Sequence, residues 1–344
     1  MAGQDAASKP GADTPNLKAP RRRIEPLRHL VLVNQPGWQA IEDLYQIAAK
    51  VSWIDPTIRS FVVAADINNS VSRRAAATKP TLVVSFGPMG KFKPSRGKVY
   101  QGHTIAKFEQ LRRLSAAGVP VPRTAYLTPE INLDPKLWGE FVILKPSDIA
   151  SSSHGLGIQV IRTSRVRYKA PQEYPSDHPG RRGPMIIQQF VNTGPQLEGF
   201  RVLTLFGQPL YCVRSLAQTP RVDLAAADDA TIETSPITIQ ALSYEDRSRT
   251  YLYDADVIAA ARGAAQAIPE VPLQGCDVMR DHRSGRVFVL ELNPGGNTWH
   301  FSSNYYADTR RRDTPEMNRE RAEQLDALNS AAHVLVERTR SEAQ

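Results

Sequence analysis

Residues 274–280, Gln-Gly-Cys-Asp-Val-Met-Arg, and 286–293, Arg-Val-Phe-Val-Leu-Glu-Leu-Asn, are two β-rich runs separated by a short turn from Asp281 to Gly285. Runs of this kind across a tight turn pair antiparallel, and their side chains alternate between the two faces. Phe288, Leu290 and Leu292 are then expected on one face, with Val289, Glu291 and Asn293 on the other. With the turn centred near residue 284, Asp277 falls opposite Glu291 on that second face. Two carboxylates and an amide so placed form an all-oxygen set of the kind Mg²⁺ takes, completed by phosphate oxygens and water. Without a cation the two carboxylates would repel, and one would be driven towards protonation.

Upstream, the apolar run 141–145 (Phe-Val-Ile-Leu-Lys) ends on Lys145 and Pro146, followed by Ser151-Ser152-Ser153-His154-Gly155-Leu156-Gly157 and the strand 157–162. A lysine beside a small-residue loop offers a cation and free N–H groups to a polyphosphate, and glycines let the backbone approach closely. Between the two clusters, 185–191 (Met-Ile-Ile-Gln-Gln-Phe-Val) is an extended segment that can present Gln188, Gln189, Phe190 and Val191 to a purine. Glu198 follows, then Arg201 on the run 200–206, and Arg214 lies one hairpin away on 209–216, with the turn placed at Gly207-Gln208. Arg201 and Arg214 are the guanidinium groups able to meet a phosphate or a substrate carboxylate.

The remainder of the chain frames these parts. Short β runs at 29–34, 60–65 and 81–86 alternate with a helical pattern at 38–50, which predicts a parallel α/β unit. A helix at 103–117 stops at Gly118, before Pro120 and Pro122; further helices are predicted at 254–267 and about 315–338. Residues 163–184 look like a Pro-rich loop, and 217–250 are polar, with no chemistry assigned to them. Gly87-Pro88-Met89-Gly90-Lys91-Phe92 is not a phosphate loop, because two residues rather than four separate the glycines and Phe follows the lysine.

Taken in order, Lys107, Lys145-Pro146, the loop 151–157, Gln188-Gln189-Phe190-Val191, Arg201, Asp277 and Leu290-Glu291-Leu292-Asn293-Pro294 resemble the ATP-grasp superfamily of ligases, especially the glutathione synthetase and glutamate-tailing branch. The resemblance covers about residues 100–300. It implies an α/β plus α+β architecture, with an N-terminal α/β domain at 29–100 and two α+β lobes at 101–192 and 193–340 enclosing ATP. Residues 1–28 are read as a disordered basic tail. It further implies that Lys107 and Lys145 contact the phosphates and that Ser152, Ser153, His154, Gly155 and Gly157 cover them. Gln188, Gln189, Phe190, Val191 and Glu198 would hold the nucleoside, Asp277, Glu291 and Asn293 one or two Mg²⁺ (or Mn²⁺), and Arg201 with Arg214 the transferred phosphoryl group. The implied reaction joins a small-molecule or peptide carboxylate to an amine, through an acyl phosphate, with release of ADP and phosphate. A small-molecule kinase on the same fold and a non-catalytic nucleotide- or anion-binding scaffold stay open.

Composition is that of an ordinary globular chain rather than a disordered or fibrous one. The 344 residues are 41% hydrophobic and 23% charged, with 43 Lys+Arg against 35 Asp+Glu for a formal charge of +8. No run is long enough to span a membrane, and the polar residues after Met1 lack an apolar core, so a cytoplasmic location is expected. Cys212 and Cys276 are too few for a disulfide framework. Arg21-Arg22-Arg23 is short and lacks interleaved aromatics, so no nucleic-acid partner is expected; a homo-oligomer stays open.

Overall fold

A computed structural model describes residues 25–68, 70–147, 156–235 and 242–344. Within them three sheets form a mixed α/β fold. In the first, β1 (Arg28–Asn34), β2 (Ile58–Ala64), β3 (Thr81–Ser85) and β4 (Lys98–Gln101) run parallel in the order β2-β1-β3-β4. Leu30 and Leu32 bury one face against Leu44, Ile47 and Val51, which line one stripe of helix α1 (Ile41–Ile54). The other face packs Val31, Val33 and Val83 against Ala76, at the end of α2 (Ser70–Ala76).

Helix α3 (Lys107–Ala116) follows, and then a small antiparallel sheet. Its strands are β5 (Thr124–Tyr126), β6 (Phe141–Pro146), β7 (Gln159–Arg162) and β8 (Met185–Gln189), ordered β5-β8-β6-β7; α4 (Pro135–Trp138) precedes β6. The Pro-rich stretch 163–184 forms short single turns over Thr163–Arg165, Pro171–Glu173 and Pro179–Arg181, in keeping with its composition.

The large sheet is antiparallel throughout. Strands β9 (Glu198–Leu205), β10 (Gln208–Ala217), β11 (Arg247–Tyr251), β12 (Leu273–Arg280) and β13 (Val287–Pro294) lie in the order β11-β10-β9-β12-β13. Leu205 pairs with Gln208, so the two turn residues are Phe206 and Gly207 rather than Gly207 and Gln208. Both have positive φ, 50° and 82°, as a tight hairpin turn twisted with its strands requires.

One face of the large sheet, through Phe200, Val202, Cys212, Cys276 and Leu292, buries against helix α6 (Ala255–Ala267) and Leu114 of α3. The other face, through Leu203, Leu205, Tyr211 and Leu273, joins a core shared with helix α9 (Ala327–Glu342) and the N-terminal sheet. The single helix predicted at 315–338 is two, α8 (Pro315–Glu323) and α9, because Asp326 takes a left-handed φ of 43° that a continuous helix cannot contain. A short helix, α7 (Ala307–Arg312), precedes them.

Residues 218–235 have a structural role that their composition does not show. Leaving the large sheet, this stretch lays Leu224 and Ile232 against Ile143 and Val160 of the small one. Its helix α5 (Asp229–Thr234) ties down there, with Arg162 Nε donating to Asp229 at 3.0 Å and Gln159 Nε2 to Glu233 at 3.2 Å.

Candidate active site

The register of β12 and β13 sets Asp277 opposite Glu291, as alternation predicts. The next pair is Val278 with Val289, so Leu290 is an extra, bulged residue. The bulge resets alternation below it. Val289 therefore belongs to the hydrophobic core beside Leu292 and does not share the face of Glu291. Above the bulge the expected face survives: Asn293 Nδ2 donates to Asp277 Oδ2 at 3.1 Å.

Strand β9 brings Arg201 alongside Asp277. Its Nε donates to Oδ1 and its Nη2 to Oδ2 at 2.8 Å, a two-point clamp that fits a planar guanidinium to a carboxylate. Glu291 Oε2 receives Lys107 Nζ at 3.0 Å, from the first residue of α3. That helix is locked to β13 by Gln110, whose Oε1 accepts the Leu292 N–H at 2.8 Å. Lys145, at the end of β6, donates to Gln188 Oε1 at 2.9 Å with both groups buried. Three cations from α3, β6 and β9 thus converge on two carboxylates of β12 and β13.

The electrostatics follow from that crowding. Burial, with help from Lys107, brings the Lys145 ammonium down to about 8, although Glu291 and Asp277 pull the other way. Burial would raise Glu291, but Lys107 and Lys145 outweigh it and hold the carboxyl below its ordinary value. Burial raises Asp277. Arg201 loses solvation too, yet the Asp277 charge holds the guanidinium above its ordinary value, which keeps the proton on the arginine.

Arg214 is a correction. It lies opposite Phe200, whereas Val213 lies opposite Arg201, so alternation sends the two arginines to opposite faces of the sheet. Arg214 forms an ion pair with Glu198 at 2.5 Å, on the face away from Asp277, and that pairing removes both from the cluster. Gln188 is engaged by Lys145 and donates to Thr124 Oγ1 at 3.3 Å, on the face of β8 that meets the cluster. The Phe190 ring packs edge-on to Phe141 at 6.5 Å, with Arg221 over it at 5.3 Å, so it is core rather than a free stacking surface. The Gln189 N–H donates to the Arg123 carbonyl, and Val191 is buried. Ser152, Ser153, His154 and Gly155 lie outside the described residues. Gly157 has φ +73°, and a Cβ there would stand 3.0 Å from Pro179 and 3.3 Å from Pro146, so only glycine fits where the loop rejoins Lys145's neighbour.

The loop that follows β13 is tied back to other parts of the fold. Trp299, fully buried, donates from Nε1 to Asp43 Oδ2 at 2.7 Å, and Ser302 Oγ donates to the same oxygen at 2.6 Å. These bonds pin the loop after β13 to the N-terminal domain. His300 Nδ1 lies 2.6 Å from the Tyr211 hydroxyl, and its ring stacks on Tyr306 at 3.9 Å. Gln110, which ties α3 to β13, has no local signature in the sequence.

The donor set can be tested against a divalent ion. Among the described residues no group of three or more His, Cys, Asp or Glu stands together, and the candidate set is instead two carboxylates and an amide. All offer hard oxygens and the carboxylates are register partners, which suits Mg²⁺ with waters and phosphate oxygens completing its shell; the ion would compete with Arg201 for Asp277 and with Lys107 for Glu291.

No family model and no curated protein matches the chain. Among solved structures it is similar to D-cycloserine synthetase DcsG, at 14% identity and a TM-score of 0.48, covering 90% of this chain and 99% of that one. It is also similar to the ATP-grasp ligase PsnB complexed with precursor peptide PsnA2 and AMPPNP, at 13% identity and a TM-score of 0.46, covering 92% and 99%. A third is the D-alanine–D-alanine ligase from Bacillus anthracis, at 12% identity and 0.41, covering 90% and 99%. Each is a distant likeness in fold.

Proposed function

We propose that this protein is an ATP-dependent carboxylate–amine ligase of the ATP-grasp type. The observation that carries the reading is the meeting of Lys107, Lys145 and Arg201, from three separate elements, around Asp277, Glu291 and Asn293. Phosphoryl transfer asks for positioning and for neutralisation of charge on phosphate oxygens, and such a cluster supplies both.

In this reading ATP lies between the small and large sheets. Lys107 and Lys145 meet its phosphates, and the end of β8 with Val191 meets the nucleoside. Asp277, Glu291 and Asn293 would hold Mg²⁺, which when bound neutralises phosphate charge. Arg201, fixed in orientation by its clamp on Asp277, faces the transferred phosphoryl group. The substrate carboxylate attacks the γ-phosphorus, giving an acyl phosphate and ADP; the amine then displaces phosphate and leaves an amide. Water must be kept out, because it would hydrolyse the acyl phosphate. The Trp299 loop, held by Asp43, walls the large-sheet side of the site. The order of the motifs favours the branch that holds glutathione synthetase and the glutamate-tailing ligases.

ADP release is expected to require an acid and an amine together, measured by coupled assay over a panel of both. Full release with an acid alone, unchanged by any amine, would identify a kinase instead.

A further inference from the structure

On β9, Arg201 and Leu203 are two residues apart and share a face, and Leu203 lies opposite both Tyr211 of β10 and Gly275 of β12. Tyr211 therefore stands on the Asp277–Arg201 face, one step along it. At Gly275 the loop after β13 comes down on that face: a Cβ there would stand 3.0 Å from Thr298 Oγ1. Two residues on, His300 Nδ1 meets the Tyr211 hydroxyl at 2.6 Å, and both side chains are buried. The Tyr306 ring is stacked on the imidazole at 3.9 Å, and Arg310 Nη1 donates to the His300 carbonyl at 3.1 Å, so the ring is held from two further sides.

Hydrogen-bond accounting fixes its tautomer. Among the described residues the Tyr211 hydroxyl has no partner other than His300 Nδ1. Were Nδ1 to carry the proton, the hydroxyl hydrogen would be buried with no acceptor, a cost the swapped bond does not offset. The hydroxyl therefore donates, Nδ1 accepts, and the ring proton sits on Nε2, which has no partner among the described residues. Burial, and after it the charge of Arg201 and three other arginines, hold His300 well below its ordinary value, so the ring is a neutral donor. Of the charges that act on His300 and on Tyr211, that of Arg201 is the largest. Arg201 uses Nε and Nη2 on Asp277, leaves Nη1 without a partner among the described residues, and keeps 23% of its side chain exposed.

We infer that His300 Nε2–H and Arg201 Nη1 together hold the carboxylate of the acid substrate, one oxygen each, with Tyr211 as the positioning residue that keeps the proton on Nε2. The inference rests on the ligase reading for the step that follows. Arg201 meets the oxygen that attacks phosphorus, and His300 the oxygen that stays as the carbonyl of the acyl phosphate. When the amine adds, that carbonyl oxygen gains negative charge, and a fixed neutral N–H aimed at it stabilises the charge without giving up its proton. The C–N bond forms, the C–O bond to phosphate breaks with its electron pair on the leaving phosphate, and the amine's proton goes to that phosphate.

NMR of the histidine ring nitrogens in the isotope-labelled full chain tests this, with the His300 signals identified by their loss in His300→Gln. The wild type is expected to show the Nε2–H tautomer, and that proton is expected to shift as acetate is titrated in. Tyr211→Phe removes the donor to Nδ1 and should give a mixture of tautomers. His300→Leu combined with Tyr211→Phe leaves no hydroxyl without a partner, so it should unfold in urea as the wild type does while binding acetate about tenfold more weakly. His300→Gln, which keeps an N–H donor, should retain most of the affinity. A proton on Nδ1, an Nε2–H that ignores acetate, or equal acetate affinity in the apolar pair overturns the inference, and the wild-type signals decide it even where a variant fails to fold. ATP titrated into the same samples separates the two claims. If ATP does not bind but the tautomer and its response to acetate remain, the ligase reading fails and the carboxylate site stands.

Discussion

Arg201→Met is expected to remove activity and to lower stability by about 3–5 kcal/mol, because it leaves the Asp277 carboxylate buried without its partner. Adding Asp277→Leu to that chain should restore most of the stability and none of the activity. An apolar pair of similar volume has no desolvation penalty to offset, whereas neither new side chain can orient a phosphoryl group or bind an ion. Urea unfolding and ADP release, measured on the single and double variants, give both halves. Activity in the double variant near that of the wild type would show that the clamp is structural only.

Lys145→Met separates function from stability in a different way. The Lys145 ammonium is pushed down to about 8 from an ordinary 10.5. Between those values the unfolded chain holds a proton that the folded chain has released, so folding stability rises with pH across that window. Below pH 8 the full penalty applies, about 3 kcal/mol. Methionine removes this penalty but leaves Gln188 Oε1 without its donor, a loss of about 1–3 kcal/mol. The variant should therefore match the wild type within about 2 kcal/mol at pH 7 and lack the rise between pH 8 and 10.5. ATP affinity should fall about a hundredfold or more. Denaturation of both proteins at pH 7 and pH 10 is the check, and an equal rise in the two would mean that Lys145 is not the buried titrating group.

The shared face of Asp277, Glu291 and Asn293 was legible because a strand has a period of two and the three lie on the two strands that flank a short turn. The same rule misplaced Val289, since nothing in the residues announces a bulge at Leu290. Arg214 was misplaced for the same reason: counted back from Phe206-Gly207, Arg201 would face Cys212 and share its side with Arg214, and only the irregularity between Pro209 and Tyr211 moves the pairing to Val213. Lys107 and Lys145 were found through their place in an ordered set of motifs. Their ion pair and hydrogen bond, to Glu291 and Gln188, depend on how α3 and β6 pack and have no local signature. Residues 218–235 gave nothing because Leu224 and Ile232 have partners only in another sheet.

The most direct measurement is equilibrium binding of ATP, with and without Mg²⁺, to the wild type and to a chain carrying Glu291→Gln and Asn293→Ala. Mg²⁺-dependent binding by the wild type, weakened about a hundredfold or more in the double variant, is the expected result. Binding that ignores Mg²⁺, or a double variant that holds ATP as tightly as the wild type and still releases ADP, would contradict a nucleotide site at Asp277, Glu291 and Asn293.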